Sequence, residues 1–449
     1  MPKTTAEVVI CGAGIAGISA AYHLAVRRGV RGVLLVDERP PLSLTSDKST
    51  ECYRNWWPGP GDAMVRLMNR SIDLLESLAA ESGNRFHLSR RGYLYVTRDP
   101  QRAAAWRQAA AEISRLGAGP LRVDAAPGGE PTQADGADLL TEPSRIRRDY
   151  PYLAEEVQAV LAARRCGWLS AQQLGMLLLE QAQAAGVRLL PGRLDGIATR
   201  GGNVASVSIL SAEGATTVDA PALVNAAGPF FREVGTMVGL DLPVEWEIHR
   251  KIAFNDSLGI VPRQAPLIIG ADPLDLAWGE DERAALAESS ETRVLLDRLP
   301  SGMHARPEGG EGSQTILLLW PYRPERHPPS FPIPEDPLYL EIALRGMAHI
   351  LPGLAAYLTR LPRSVQDAGY YTRTRENRPL VGRTSVPGFF LMGALSGYGI
   401  MASQGAAELL AASICAETLP KYARWFELQR YEDPDYRRLL ETWDDAGQL

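Results

Sequence analysis

The sequence predicts an α/β chain in two parts, one built on a parallel sheet and one on an antiparallel sheet. Residues 7–37 read as strand, glycine turn, helix and strand. Residues 90–98, RRGYLYVTR, alternate like an antiparallel strand entering a new sheet. At 449 residues the chain is long enough for two domains.

The first unit begins with Glu7, Val8, Val9 and Ile10, a short apolar run suited to a buried parallel strand. CGAGIAGISAAYHLA follows, with Gly12, Gly14 and Gly17 in G-x-G-x-x-G spacing, and RGVLLVDERP closes the unit at Asp37. Gly12 permits the tight turn, Gly14 lets a pyrophosphate approach the backbone, and Gly17 lets helix pack on strand. The helix N-terminus meets the phosphate charge with free N–H groups. Asp37 stands near the expected distance, roughly 20 residues on, for an acid that accepts from ribose hydroxyls. These features predict a Rossmann-type dinucleotide site, and an acid at this place argues against a 2′-phosphate.

Next comes TSDKSTECYR at 45–54, with short hydroxyls and no apolar alternation, suited to hydrogen bonding a phosphate and a ring edge. The 117–138 stretch, rich in Gly, Pro and Asp, predicts a mobile loop. Residues 170–190 predict an amphipathic helix ended by Gly186 and then a strand. LVNAAGPF at 223–230 places small residues after an apolar strand, where a backbone can approach a ligand. The acidic 271–300 segment predicts a surface helix, and TILLLWPYRPE at 315–325 a core strand. In 393–411 glycines at 393, 397, 399 and 405 flank the start of a predicted amphipathic helix. Residues 422–445, aromatic and charged, predict a docked C-terminal helix.

Hydrophobic content of 45%, charged content of 22% and a net charge of -6 describe a soluble globular chain, with no reason to expect nucleic acid or an anionic membrane as partner. Cys11, Cys52, Cys166 and Cys415 form no C-x-x-C pair and no metal-type spacing, so no metal site is expected. With no signal-peptide pattern and no apolar window of about 18 residues, the chain reads as cytoplasmic.

Four segments in order, the glycine turn, the hydroxyl loop with its downstream Arg54, LVNAAGPF, and RENRPLVGRTSVPGFFLMGALSGYGIMASQGAAELLA at 375–411, resemble the D-amino acid oxidase superfamily of FAD enzymes. The resemblance is to its sarcosine oxidase and glycine oxidase branch. It implies an α/β fold with a Rossmann-type FAD-binding domain and a second antiparallel-sheet (α+β) substrate domain. The FAD domain would take 1–90, 160–235 and 370–449, and the substrate domain 91–159 and 236–369. Carried onto this chain, it implies FAD contacts from Gly12, Gly14, Ile15, Ala16 and Gly17, and from Asp37, Glu38 and Arg39. Thr45, Ser46, Lys48, Ser49 and Thr50 would follow, with Leu194 near the adenine and Ala226, Ala227 and Gly228 after their strand. Gly393, Gly397, Tyr398, Gly399, Ile400 and Met401 would face the flavin from the last turn, where N–H groups and the helix dipole favour the reduced ring's negative charge.

The implied reaction is hydride removal from a carbon bearing an amine, giving an imine that hydrolyses. Arg54 matches the residue that holds a substrate carboxylate, and Tyr371 matches an active-site tyrosine. Tyr322 and Arg323 are further candidates for lining the pocket, and Trp56 and Trp57 for capping it. The chain departs from its relatives at several positions. Met401 stands where sarcosine oxidases carry a carboxylate-binding lysine. Gly369 and Asp47 stand where members with covalent flavin carry cysteine and histidine, so FAD is expected to be noncovalent. Lys48 and Lys251 are the only nearby candidates for the lysine that promotes dioxygen reaction. The partners expected are a small-molecule substrate and dioxygen. The alternative is a dehydrogenase of a secondary amine or 2-hydroxy acid that passes electrons to a carrier. Flavin monooxygenases share the first motif, but NRPLVGRT replaces their later GD-type motif, and a noncatalytic FAD subunit would bind flavin without turning over an amine.

Overall fold

The computed structural model describes residues 4–124 and 135–443. A six-stranded sheet runs in the order Arg188–Pro191, Val33–Asp37, Val8–Cys11, Ala222–Asn225, Phe389–Gly393 and Leu380–Arg383. All neighbours are parallel except the last pair. Both faces are covered, which is why VVIC and VLLVD read as unbroken apolar runs. Val8, Ile10, Val33, Leu35 and Val224 point into one core, and Val9, Cys11, Leu34, Val36 and Leu223 into another. The first core holds the helices Ile15–Ala25, Ala63–Ser82, Ala171–Ala184 and Gly399–Ile414. The second lies under the antiparallel strands Arg193–Arg200, Asn203–Ser211 and Gly214–Asp219. Ser170 caps the Ala171–Ala184 helix by accepting from the Gln173 N–H at 3.3 Å, a contact worth about 1 kcal/mol.

A nine-stranded, mostly antiparallel sheet takes strands from 93–163 and 245–373. One face carries Leu94, Val96, Ile268, Ile316 and Leu318 into a third core under the helix Tyr339–Ala348. Tyr93, Tyr95 and Leu267, on the other face, join the first core. The strand predicted at 90–98 is therefore Tyr93–Thr97, antiparallel to Ala159–Ala163, parallel to Leu267–Gly270, and buried on both sides.

Three expectations change. Within 117–138, Leu121–Val123 and Ala137–Leu140 are paired strands at the sheet edge, and residues 125–134 lie outside the described residues. The helix predicted as amphipathic is Gly399–Ile414, buried almost all round: Gly405 has no Cβ, and one would meet the Leu67 carbonyl at 3.0 Å, so the Ala63–Ser82 helix packs directly on it. The C-terminal segment is two short 3₁₀ stretches and a helix at Pro434–Thr442; residues 444 and 445 are outside the described region. Arg430 anchors this segment, donating to Glu376 at 2.7 Å, while Tyr431 and Tyr436 donate to the same carboxylate. The 271–300 segment carries the expected helix at Glu280–Ala287, although Leu274, Leu295 and Leu299 reach the third core. Among the described residues no helix is long and apolar enough to cross a membrane.

Candidate active site

The glycine turn is fixed by sterics. Gly12 has φ +106°, and a Cβ there would lie 2.3 Å from the Ala226 carbonyl oxygen. A Cβ on Gly17 would lie 1.8 Å from the Gly12 carbonyl oxygen. One on Gly14 would meet only Ser46 Oγ, at 3.2 Å, so this glycine faces open space. Asp37 accepts from the N–H of Ala13 (2.7 Å) through one oxygen and of Arg39 (2.9 Å) through the other. Burial raises its carboxyl, and those two N–H groups oppose the rise. Ser46 Oγ accepts from the Ile15 N–H at 2.9 Å, tying the hydroxyl loop to the helix start.

Three adjoining cavities follow. The first, about 400 Å³, is lined by Gly12, Gly14, Asp37, Glu38, Arg39, Thr45 and Ser46, together with Leu194, Ala226, Ala227 and Gly228. The second, about 90 Å³, shares Gly14, Thr45, Ser46, Ala226 and Gly228 with the first and adds Ile15, Ala16, Ser49, Tyr371, Gly393, Gly397, Gly399 and Ile400. Its wall is a strained turn: Ala394 and Ser396 hold φ of 54° and 46°. A Cβ on Gly397 would lie 2.5 Å from the Tyr371 ring, and one on Gly393 2.3 Å from the Phe231 ring. Thr45 closes the other side by donating to the Tyr370 carbonyl at 2.8 Å. Gly17 lies beneath this run, and Lys48 faces a separate cavity beside it.

The third cavity, about 300 Å³, shares Ser49, Tyr371 and Gly397 with the second and is also lined by Thr50, Arg54, Tyr398 and Met401. Arg54 comes from the strand Cys52–Arg54, which pairs with Cys166–Trp168. Its guanidinium donates to Tyr95 Oη at 2.5 Å and lies 4.6 Å from the Trp57 ring centre. Among the described residues no carboxylate stands within 4.0 Å of it, although Arg54 is buried. Trp57 thus lines the cavity, while Trp56 is buried in the first core.

His249 is a cavity residue that the sequence reading missed. Its ring stacks on Tyr371 with centroids 3.9 Å apart, and Nε2 is 2.9 Å from Glu247 Oε1. Nδ1 is buried and has no hydrogen-bond partner among the described residues. Burial works to raise the Glu247 carboxyl, but the His249 contact and the charges of Arg373 and Arg326 outweigh it and take it down to about 2. No local motif marks His249; only strand parity with Tyr371 across the pair Glu247–Tyr371 and His249–Gly369 could have pointed to it. Two further polar groups, Glu51 and His304, line the same cavity. Burial pushes the Glu51 carboxyl up to about 7 against the charges of Arg306 and Lys251, and Glu51 holds a left-handed φ of 56°. Burial takes His304 down to about 4, so its imidazole is neutral near pH 7.

Tyr322 and Arg323 do not line this cavity. Leu319 and Pro321 face it, whereas Trp320 and Tyr322 point to the opposite face of the sheet. Tyr322 donates to Asp336 there, and Arg323 is half-exposed near Glu325 and Asp336. The core strand predicted at 315–325 ends at Leu319, and its side-to-side alternation carried on past that end sets this outcome.

The model of the family described as FAD dependent oxidoreductase matches residues 7–413. Among curated proteins, mitochondrial dimethylglycine dehydrogenase of Rattus norvegicus is 28% identical over 244 residues, 54% of this chain and 26% of the relative. The aligned region thus spans about a quarter of that relative's length. Among solved structures, L-proline dehydrogenase from P. horikoshii superposes with a TM-score of 0.74 at 19% identity, covering 96% of this chain and 98% of that one. Glycine oxidase from Geobacillus kaustophilus superposes with a TM-score of 0.72 at 18% identity, covering 95% and 99%. At these identities the likeness speaks for the fold.

Proposed function

The chain belongs to the FAD dependent oxidoreductase family, and on that premise we propose that it oxidises the C–N bond of an amino-acid-like amine, with the imine product then hydrolysed. The observation that carries this reading is the buried guanidinium of Arg54, which meets no carboxylate among the described residues, set in the cavity that Tyr371 and Gly397 join to the cofactor run. A buried cation without an anion calls for one from the ligand, and a guanidinium suits a carboxylate in bidentate geometry.

FAD fits the run of cavities: the glycine turn and Ser46 suit its diphosphate, and the ring end falls where the second cavity opens into the third, at Ser49, Tyr371 and Gly397. Asp37, Glu38, Arg39 and Leu194 would hold the adenosine end, and Ser49, Gly397 and Ile400 the ring end. When bound, FAD supplies the hydride acceptor. Arg54 orients the substrate by its carboxylate, and Tyr371 with Trp57 and Tyr398 walls it from water. His249 Nδ1 takes the proton of an incoming ammonium, so that the amine reacts neutral, while Glu247 holds Nε2. Met401 adds no cation, and Arg102, the other arginine lining this cavity, is paired with Asp272 at 3.1 Å, which leaves Arg54 to hold the carboxylate. FAD is held noncovalently in this reading: Asp47 and Gly369 offer no thiol or imidazole, and a Cβ on Gly369 would already lie 2.8 Å from Lys48 Cβ. Acid precipitation should release all the yellow colour, and flavin retained on the polypeptide would refute this part.

Reoxidation by dioxygen is the first form of the reading, but one observation favours the dehydrogenase form. Lys251 donates to the carbonyls of Asp47 (2.7 Å) and Ser49 (3.0 Å), and Lys48 is paired with Asp367 at 3.0 Å. Both ammonium groups are committed, and neither lines the second or third cavity. Peroxide release compared with anaerobic dye reduction separates the two forms. The reading also places the enzyme in the cytoplasm, in keeping with four unpaired thiols. Anaerobic flavin bleaching against amines, N-methyl amino acids, D- and L-amino acids and hydroxy acids tests the whole: amino-acid-like amines should bleach it, and no bleaching by any amine ends the proposal.

A further inference from the structure

A loop that follows the strand Thr315–Leu319 of the nine-stranded sheet reaches over to the six-stranded sheet and walls the first cavity. It is pinned at both ends. The Ile248 N–H donates to the Glu325 carbonyl at 3.0 Å, and Arg250 donates to the Pro334 carbonyl at 3.2 Å. Between these points no backbone–backbone hydrogen bond holds the loop among the described residues. Pro328, Pro329 and Pro332 have no N–H to give and fix their own φ, so the loop is stiff without belonging to a sheet. A segment held by few backbone hydrogen bonds opens at low cost.

One aromatic side chain and its neighbours hold the loop down. Phe331 lines the first cavity together with Arg39 and Phe230. Its ring centre lies 6.0 Å from that of Phe230, 5.4 Å from that of Tyr370 and 5.3 Å from the Arg39 guanidinium. Arg39 follows the parallel strand Val33–Asp37, and Phe230 follows Ala222–Asn225, so the contact joins the two sheets. Tyr370 Oη accepts from the Ser330 N–H at 3.0 Å and donates to the Ser330 carbonyl at 3.1 Å. Each of these contacts is modest, and together they fasten the loop against the cavity that suits the adenosine end of FAD.

We propose that residues 326–333 form a strap that closes over bound FAD, with Phe331 as its latch. FAD enters and leaves when Phe331 lifts from Arg39 and Phe230, and Tyr370 is the positioning residue that aims the strap. The glycine turn then sets how FAD is bound, and the strap sets how fast it exchanges. Tyr370 and Tyr371 are consecutive on one strand, so the strand that walls the amine cavity also anchors the strap. The inference rests on the noncovalent reading of FAD and needs no amine substrate.

The test times exchange of the cofactor. FAD-loaded protein is washed by ultrafiltration, and FAD in the filtrate is followed by its absorbance; uptake of FAD by the apoprotein is followed by flavin fluorescence. Phe331→Ala, which loses two ring contacts and one cation–π contact, should speed release about tenfold or more. It should speed uptake as well, because no closed strap has to open. Phe331→Tyr keeps the ring and should keep both rates near the parent's. Tyr370→Phe removes only the hydrogen bonds to Ser330 and should speed release about fivefold. Faster release with uptake unchanged or slowed would make Phe331 a plain contact and overturn the strap. So would release at the parent's rate in Phe331→Ala, or in Tyr370→Phe alone should the alanine variant not fold. Flavin that acid leaves on the polypeptide sinks the noncovalent reading and this inference together. Unchanged exchange in variants of a parent that yields its flavin to acid sinks this inference only.

Discussion

The two ends of the cofactor run are built differently. At the adenosine end the backbone does the binding: Gly12, Gly14 and Gly17 set a turn, and Asp37 and Ser46 hold it through main-chain N–H groups. At the amine end side chains do it, and they arrive from distant elements: Arg54 from an early strand, His249 from the long strand Glu245–Asn255, and Tyr371 from Ser364–Arg373. A site made of backbone geometry tolerates little at its glycines. A site made of side chains should lose one function at a time.

The largest expected effect is at the first end. Gly12→Val sets a β-branched residue at φ +106° against a carbonyl, and the protein should emerge without FAD or not fold, read from the ratio of flavin to protein absorbance. Gly14→Ala should fold, since its Cβ would meet only the Ser46 hydroxyl, but should hold FAD more weakly, because the methyl takes the space where the diphosphate approaches the backbone; full colour would break the comparison. At the second end, Arg54→Met should lower kcat/KM by roughly 10²-fold for substrates with a carboxylate and leave FAD content unchanged. An equal loss for amines without a carboxylate would remove Arg54 from its role.

Smaller effects follow from the charges. The Glu247 carboxyl is depressed from 4.5 to about 2, so its stabilisation is present above the ordinary value and lost as pH falls through about 2. Glu247→Gln should therefore melt below the parent at neutral pH, and the gap should close between pH 4.5 and 2. Glu51 has the opposite sign: raised from 4.5 to about 7, it contributes fully below pH 4.5 and loses that contribution as pH rises through 7. Glu51→Gln should flatten the parent's loss of melting temperature across this window, by a few degrees, roughly the shift that 1 kcal/mol gives. A parent whose melting temperature rises between pH 5 and 8 at this site's expense would contradict the assignment.

The contrast between the ends also explains what could be read in advance. The glycine turn and the parallel strands are local patterns, because the positive φ and close backbone approach at Gly12 demand glycine there and strands covered on both faces read as unbroken apolar runs. Tyr322 shows the limit of local reading: the strand Thr315–Leu319 before it was legible, but which face met the cavity depended on parity set by the third core. The helix Gly399–Ile414 shows another limit, since its polar-looking Ser403 and Gln404 are buried by partners far away in sequence, with Gln404 donating to Ser19 at 2.9 Å.

By itself the sequence determined where the backbone must turn tightly and which runs must be buried, since both follow from the residues at those places. Only the tertiary structure decided that Arg54 meets no carboxylate among the described residues, that His249 stacks on Tyr371, and that Lys48 and Lys251 are already engaged. Each of these depends on what a side chain meets across sheets joined by long-range pairing, and no short stretch of chain carries that information.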